Sequence, residues 1–371
     1  MSDPQQGLGQ IQMASRADSQ LLLVGSLPAE TTATAFREAA KYFGDLVFAL
    51  PDGETGARAT WIGYEREGLL RSHPDVLTIH ETASPTGVPR HFNEAPVFGV
   101  RPGVAELRWE RWDRVDDAIA SYGVFRSLRD EGVIPPHVRF QVGLPFVTSV
   151  LSSFKENFSH DFPIAAEAYE ELAAREIGRL LAEVPAHDLA IQWDVCHEVL
   201  DNESVLPFTG PGAWDRFATS VPRFASLVPE EVLLGYHFCY GTFPTWPMFE
   251  ARDMELVVRM ANYSVGESGR RVDWLHLAGP RYLRSEEERF FAPLADLRNG
   301  DARVFLGIVL PIDGVPGITR RYQTASHYLK EFGVAMYCGF GRQPGHDGVE
   351  TMKEHREAVL HVAKLKASRG A

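Results

Sequence analysis

His237 and Cys239 stand two positions apart in "GYHFCYG", residues 235–241. On a β-strand, positions i and i+2 point to the same face, so this imidazole and thiol would project side by side. They could share one metal ion, or they could fill the interior of a barrel; the spacing alone leaves both readings open. A further thiol, Cys338, sits in the late segment "YCGFGR". Two thiolates and an imidazole favour zinc, and three protein ligands with an open fourth position describe a catalytic rather than a structural site. Zinc bound by two thiolates is electron-rich and generates hydroxide poorly. It suits a third sulfur: a substrate thiol in the open position loses its proton and becomes a nucleophile at neutral pH. The chemistry implied is alkyl transfer to sulfur, or the reverse cleavage of a carbon–sulfur bond. General acid–base work near the carbon centre or leaving group would fall to Glu54, Asp194, His276 or Asp313.

These residues need elements that bring them to one place. Eight short apolar runs punctuate the chain, at 21–27, 46–54, 138–147, 189–199, 232–241, 272–281, 304–314 and 334–342. Their continuous apolar starts suit strands buried on both faces. Amphipathic segments alternate with them. In "TTATAFREAAKYF", Thr31 or Thr32 can cap a helix whose stripe is Phe36, Ala39, Ala40 and Phe43. The clearest helix covers 163–184, and "DGVETMKEHREAVLHVAKLKA" follows the last strand. Eight strands with intervening helices predict an α/β fold, a (β/α)₈ TIM barrel, whose chemistry gathers at the C-terminal ends of the strands. Those ends carry Ser26, Glu54, Asp194, His237, Cys239, His276, Asp313 and Cys338. Residues 73–113 break the regular spacing with a long stretch rich in Pro, His and aromatics, read as an irregular insertion serving as a lid or as a contact between copies of the chain. The expected organisation is a disordered leader over 1–20 and a single barrel domain over 21–371.

Composition narrows the function. The 371 residues carry a formal net charge of −13 and no block of Lys or Arg, which argues against a nucleic-acid partner and against an anionic membrane surface. No apolar run is long enough to span a bilayer, and the first residues lack the basic start and apolar core of a signal peptide. Three cysteines, without a signal peptide, fit a reducing cytoplasm rather than a disulfide framework. The third of them, Cys196, reads as a core filler, and Asp313 in "LPIDGVPG" as a turn or helix-cap residue. Arg58, Arg281 and Arg342 follow strand ends; surface ion pairing is the ordinary role for the first two, while Arg342 is the candidate to hold a substrate anion. Tyr240, Phe243, Trp246 and Phe249 either wall an apolar pocket or pack their loop against the 73–113 insertion.

Five segments, in order, resemble the catalytic barrel of cobalamin-independent methionine synthase and its short relatives, including epoxyalkane:coenzyme M transferase. "VGSLPAET" is similar to the family's opening glycine-serine segment, and "PDGETGAR" to its glycine-glutamate segment. "IQWDVCHEV" resembles its Gln-x-Asp-Glu-Pro strand, "YHFCYG" its His-x-Cys metal motif, and "YCGFGR" its late Cys-Gly segment. The resemblance implies zinc held by His237, Cys239 and Cys338, and a thiol acceptor whose head is held by Ser26, Glu54 and Asp194. Two departures stand out: the family's Asp-Glu-Pro reads Asp194-Val195-Cys196, and its strand-six glutamate aligns with Ala278. His276, two residues earlier, could replace that glutamate or contact substrate. The expected function is zinc-dependent alkyl (methyl) transfer to a small-molecule thiol from an alkyl donor, or the related C–S bond-forming or -cleaving reaction. Two other readings are a metal-free lyase or decarboxylase on the uroporphyrinogen-decarboxylase-like barrel, and a non-catalytic relative that binds zinc and thiols.

Overall fold

The computed structural model describes residues 20–82, 94–242, 249–280, 288–310, 313–342 and 348–369. All eight expected barrel strands are present: β1 (Leu21–Leu22), β2 (Ala49–Pro51), β5 (Arg139–Pro145), β6 (Leu189–Val195), β7 (Leu233–Phe238), β8 (Trp274–Ala278), β9 (Arg303–Val309) and β10 (Gly333–Met336). They pair in parallel in the order β1-β10-β9-β8-β7-β6-β5-β2, and a single bridge between Ser26 and Gly53 joins the two outermost strands. The result is a (β/α)₈ barrel closed at its last seam by one bridge. The strands are shorter than the apolar runs, so Ser26, Glu54, Cys196, Cys239 and Cys338 lie just past strand ends. Parallel strands need long crossovers, and the helices supply them outside the barrel.

Two core layers support that rim. Helices pack their apolar stripes against the outside of the sheet, as Phe36, Ala39 and Phe43 do from the helix Thr32–Phe43. Thr31 caps this helix, its hydroxyl accepting from the Thr34 amide at 3.2 Å. Inside the barrel, a separate buried cluster including Val24, Phe48, Trp274 and Phe305 fills the space below the strand ends. Gly235 is required there: a β-carbon on it would stand 1.9 Å from the Trp274 indole. The first glycine of "GYHFCYG" therefore admits the ring that floors the site.

The structure differs from the sequence reading in two elements. The helix expected at 163–184 runs Phe158–Glu183, with Pro163 inside it. Proline favours the first helical position, which is why the sequence places the start there. The insertion also contains order: β3 (Val76–His80) and β4 (Val97–Val100) pair antiparallel. The hairpin is tied to the barrel helices, because the Val100 amide donates to Asp161 Oδ2 at 3.1 Å and the Phe98 amide to the Ser153 carbonyl at 2.9 Å. Residues 83–93 between its strands lie outside the described residues. Among the described residues, no helix is long and apolar enough to cross a membrane.

Candidate metal centre and the cavity above it

Strand pairing builds the centre. β6, β7 and β8 run in register with Asp194 opposite His237 and His237 opposite His276. His237 and Cys239 share the inward face of β7 and its continuation, and Cys338 arrives from beyond β10. The three ligand atoms lie within 4.8 Å of one another, and His237 and Cys239 are buried. Ligand atoms on a tetrahedral zinc sit roughly 3.3–3.8 Å apart, so the three donors need only a small contraction to close on an ion.

The proton positions fit a metal ligand. His276 Nε2 lies 2.9 Å from the Met336 carbonyl oxygen, which can only accept, so Nε2 carries the proton. Burial pushes the His276 pKa down to about 3, so the ring is neutral and its Nδ1 is a bare acceptor. That Nδ1 faces His237 Nδ1 at 2.6 Å. His237 must therefore donate from Nδ1, which leaves its Nε2 lone pair free. Burial also holds His237 below its ordinary value. His276 has both ring nitrogens engaged and does not line the cavity. Ala278, at the family's glutamate position, closes β8 as a buried side chain without a donor.

The thiols are packed against one another and shift each other's ionisation. Contact with Cys196 first, and burial after it, raises the Cys239 pKa well above the thiol range; contact with Cys239 and burial do the same for Cys338. A cluster of thiols with a neutral imidazole is a donor set that suits a divalent soft ion. Cys196 is not the core filler the sequence suggested. Val195 pairs with Phe238 and the Cys239 amide donates to the Val195 carbonyl at 3.1 Å, so Cys196 is next in register to Cys239. It touches the Cys239 thiol and lines the same cavity.

One wall of that cavity is acidic. Ser26, Glu54 and Asp194 all line it. The Ser26 hydroxyl is buried without a hydrogen-bond partner among the described residues, pressed against Gly339, where a β-carbon would lie 2.1 Å from Ser26 Oγ. Glu54 takes a left-handed φ of +48°, an uncommon backbone for a non-glycine residue. Its carboxylate lies over Gly25 and 3.7 Å from the Arg114 guanidinium, which is also paired with Glu65. Asp194 Oδ1 accepts from Gln192 Nε2 at 2.8 Å. Burial, and then the Glu54 charge, raises the Asp194 pKa well above the carboxylate range.

The rest of the lining was not foreseen. It is formed by Thr60, Trp61, Ile62, Gly63 and Arg66 after β2, with His197 beyond Cys196. "WIGYEREG" reads as an ordinary amphipathic segment, and nothing in its spacing marks Trp61 or Arg66 as cavity residues. The enclosed space is ≈ 60 Å³, and ≈ 730 Å³ counted out to the solvent at its mouth.

The remaining candidates lie elsewhere. Arg58 pairs with buried Asp52 rather than facing solvent. Asp313 holds the N-cap position of the helix Gly314–Ala325, without a capping bond, and grips Arg321 at 2.6 and 2.7 Å. Arg342 ends the short turn Phe340–Arg342, and its side chain is outside the described portion. Arg281, Phe243 and Trp246 lie outside the described residues. Tyr240 is buried, its ring centroid 6.2 Å from that of Phe249, and neither lines the cavity.

Solved structures share this arrangement of strands and helices. A B12-independent methionine synthase from Shewanella sp. W3-18-1, in complex with selenomethionine, superposes with a TM-score of 0.54 at 13% identity, over 90% of this chain and 87% of that one. Its barrel resembles theirs. A putative vitamin-B12 independent methionine synthase from Listeria monocytogenes gives 0.53 at 12% identity, over 91% and 86%. At such identities the likeness to methionine synthase barrels is one of fold. No family model and no curated protein matches the chain.

Proposed function

We propose that this protein is a zinc-dependent enzyme that alkylates a small-molecule thiol, or cleaves the corresponding thioether, at the C-terminal end of its barrel. The observation that carries the reading is the convergence of His237, Cys239 and Cys338 from two separate strand ends to within 4.8 Å. A metal-free lyase would give this buried donor set no role. The likeness in fold to methionine synthase barrels is consistent with the reading.

His237 Nε2, Cys239 Sγ and Cys338 Sγ would hold the ion, with His276 fixing the His237 tautomer. Bound there, zinc would lower the pKa of a thiol in its open position and so supply a nucleophile at neutral pH. Ser26, Glu54 and Asp194 line the space a bound thiol would occupy and offer its polar head a hydroxyl and two carboxyl groups. Asp194, whose pKa is raised by burial and then by Glu54, keeps Oδ2 free of Gln192 and, when protonated, can give a proton there to a leaving group. Trp61 and Ile62 cover the cavity with apolar surface and limit water.

The test is turnover. Zinc-loaded protein should transfer an alkyl group from a sulfonium or N-methyl donor to a short thiol such as 3-mercaptopropionate, or release a thiol from its thioether. Chelation should abolish the reaction and zinc should restore it. Equal rates in chelated and loaded protein would overturn the zinc mechanism.

A further inference from the structure

Cys196 brings a further thiol to the metal centre without joining its ligand set. Asp194 and Cys196 share one face of β6 and its continuation, as His237 and Cys239 share that of β7. Asp194 is in register with His237, and the Cys239 amide donates to the Val195 carbonyl at 3.1 Å, which carries the pairing past both strand ends. Cys196 and Cys239 are thus neighbours on the same side, and their thiols are in contact. The Cys196 backbone is fixed there, its amide donating to Ser149 Oγ at 3.3 Å. Yet Cys196 stands outside the set of donors, His237, Cys239 and Cys338, that lie within 4.8 Å of one another.

The two thiols differ in access. Cys239 is 3% exposed, whereas Cys196 is half-buried and lines the cavity. With an ion held by Cys239 and Cys338, Cys196 keeps its sulfur lone pairs for a small solute that enters from the mouth. All three cysteines are free. Neighbouring strands run about 4.8 Å apart, inside the roughly 4.4–6.8 Å between α-carbons that a disulfide accepts. Cys338 is the poorer partner for Cys239 while the ion is bound, because that ion occupies both of their sulfurs.

We propose that Cys196 is an oxidation site that controls the metal centre: a hydroperoxide oxidises it, Cys239 resolves it as a Cys196–Cys239 disulfide, and the ion is released. In the first step the Cys196 sulfur takes the terminal oxygen of the hydroperoxide; the O–O bond breaks, leaving a sulfenic acid and an alcohol, or water from hydrogen peroxide. In the second step Cys239 Sγ attacks the Cys196 sulfur. The S–S bond forms, the S–O bond breaks, and hydroxide leaves and takes up a proton as water. The ion then keeps only His237 and Cys338 and dissociates. A dithiol reverses the change by exchange, becoming a disulfide itself and returning both thiols. The inference rests on the zinc reading for what is released; the disulfide itself requires only the two thiols.

Peroxide treatment of zinc-loaded protein tests it, with a chromogenic chelator reading released zinc and mass spectrometry reading the cross-link after free thiols are blocked. Each cysteine falls in its own tryptic peptide. Hydrogen peroxide should release zinc in step with a Cys196–Cys239 cross-link, and dithiothreitol with added zinc should restore the metal content. Cys196→Ser should form no such cross-link and should release zinc roughly tenfold or more slowly. Cys196→Ala serves if the serine variant does not fold. In Cys239→Ser the sulfenic acid lacks its resolving thiol and should be trapped on Cys196 by dimedone. A Cys239–Cys338 cross-link in place of Cys196–Cys239, or zinc release at the parental rate in the Cys196 variants, would overturn the proposal. Zinc-free parent separates the two readings, since peroxide should give the Cys196–Cys239 cross-link there as well. A chain that binds no zinc yet forms it would sink the zinc reading and keep the thiol pair. A chain that binds zinc and forms none would sink the pair alone.

Discussion

His237 Nδ1 and His276 Nδ1 lie 2.6 Å apart, and the Met336 carbonyl behind them decides which one carries the proton. His276 is therefore a positioning residue: it accepts from His237 and aims the free nitrogen at the thiols. His276→Phe keeps a ring but removes the acceptor. It should lower zinc affinity roughly 10- to 100-fold in competition with a chelator, the range for loss of such a partner. His276→Gln, whose amide oxygen can accept, should recover part of it. Unchanged affinity in both variants would remove His276 from the metal centre.

Asp194 separates structural from chemical roles. Its folded pKa is raised, so the protonated form is favoured in the folded chain. The sign follows: its contribution to stability is full below the ordinary carboxyl range and is lost as pH rises through the raised value. Asp194→Asn keeps the Oδ1 that accepts from Gln192 and cannot ionise. Its melting temperature at pH 7 should equal or exceed the parent's, while kcat/KM falls roughly 100-fold or more. A variant with parental turnover would exclude proton transfer by Asp194.

His355 predicts acid sensitivity away from the site. It is buried against Phe340, with ring centroids 4.2 Å apart; Nδ1 donates to the Thr351 carbonyl at 3.0 Å, and Nε2 has no partner among the described residues. Burial lowers its pKa from 6.5 to about 3. The unfolded chain then binds the extra proton between those values, so stability is full above about pH 6.5 and is lost as pH falls toward 3. The loss at pH 5 is about 2 kcal/mol for this residue. His355→Phe should show a smaller drop in melting temperature between pH 7 and pH 5, measured by calorimetry; an identical drop would contradict the assignment.

The barrel was legible because its strands are continuous apolar runs, and because two-residue spacing fixes which side chains share a face. That logic gives His237 beside Cys239, and strand order brings Cys338 to them. It does not show Cys196 against Cys239, since that contact depends on the register between β6 and β7. Nor does it show Arg66, whose local sequence is indistinguishable from a solvated helix face and whose burial comes from packing against Ser153. His276 illustrates the same limit: its strand was foreseen, but only the Met336 carbonyl assigns its protons.

Zinc content read together with X-ray absorption at the zinc edge tests the central claim most directly. The parent should bind about one zinc per chain, with a first shell containing two sulfurs and a nitrogen donor, and should gain a third sulfur when 3-mercaptopropionate is added. Cys196→Ser should behave as the parent, because that thiol lies outside the three-ligand set. The Cys239→Ser/Cys338→Ser double variant should bind none. Less than half an equivalent in the parent after zinc addition, or a sulfur count that the thiol leaves unchanged, would contradict the account.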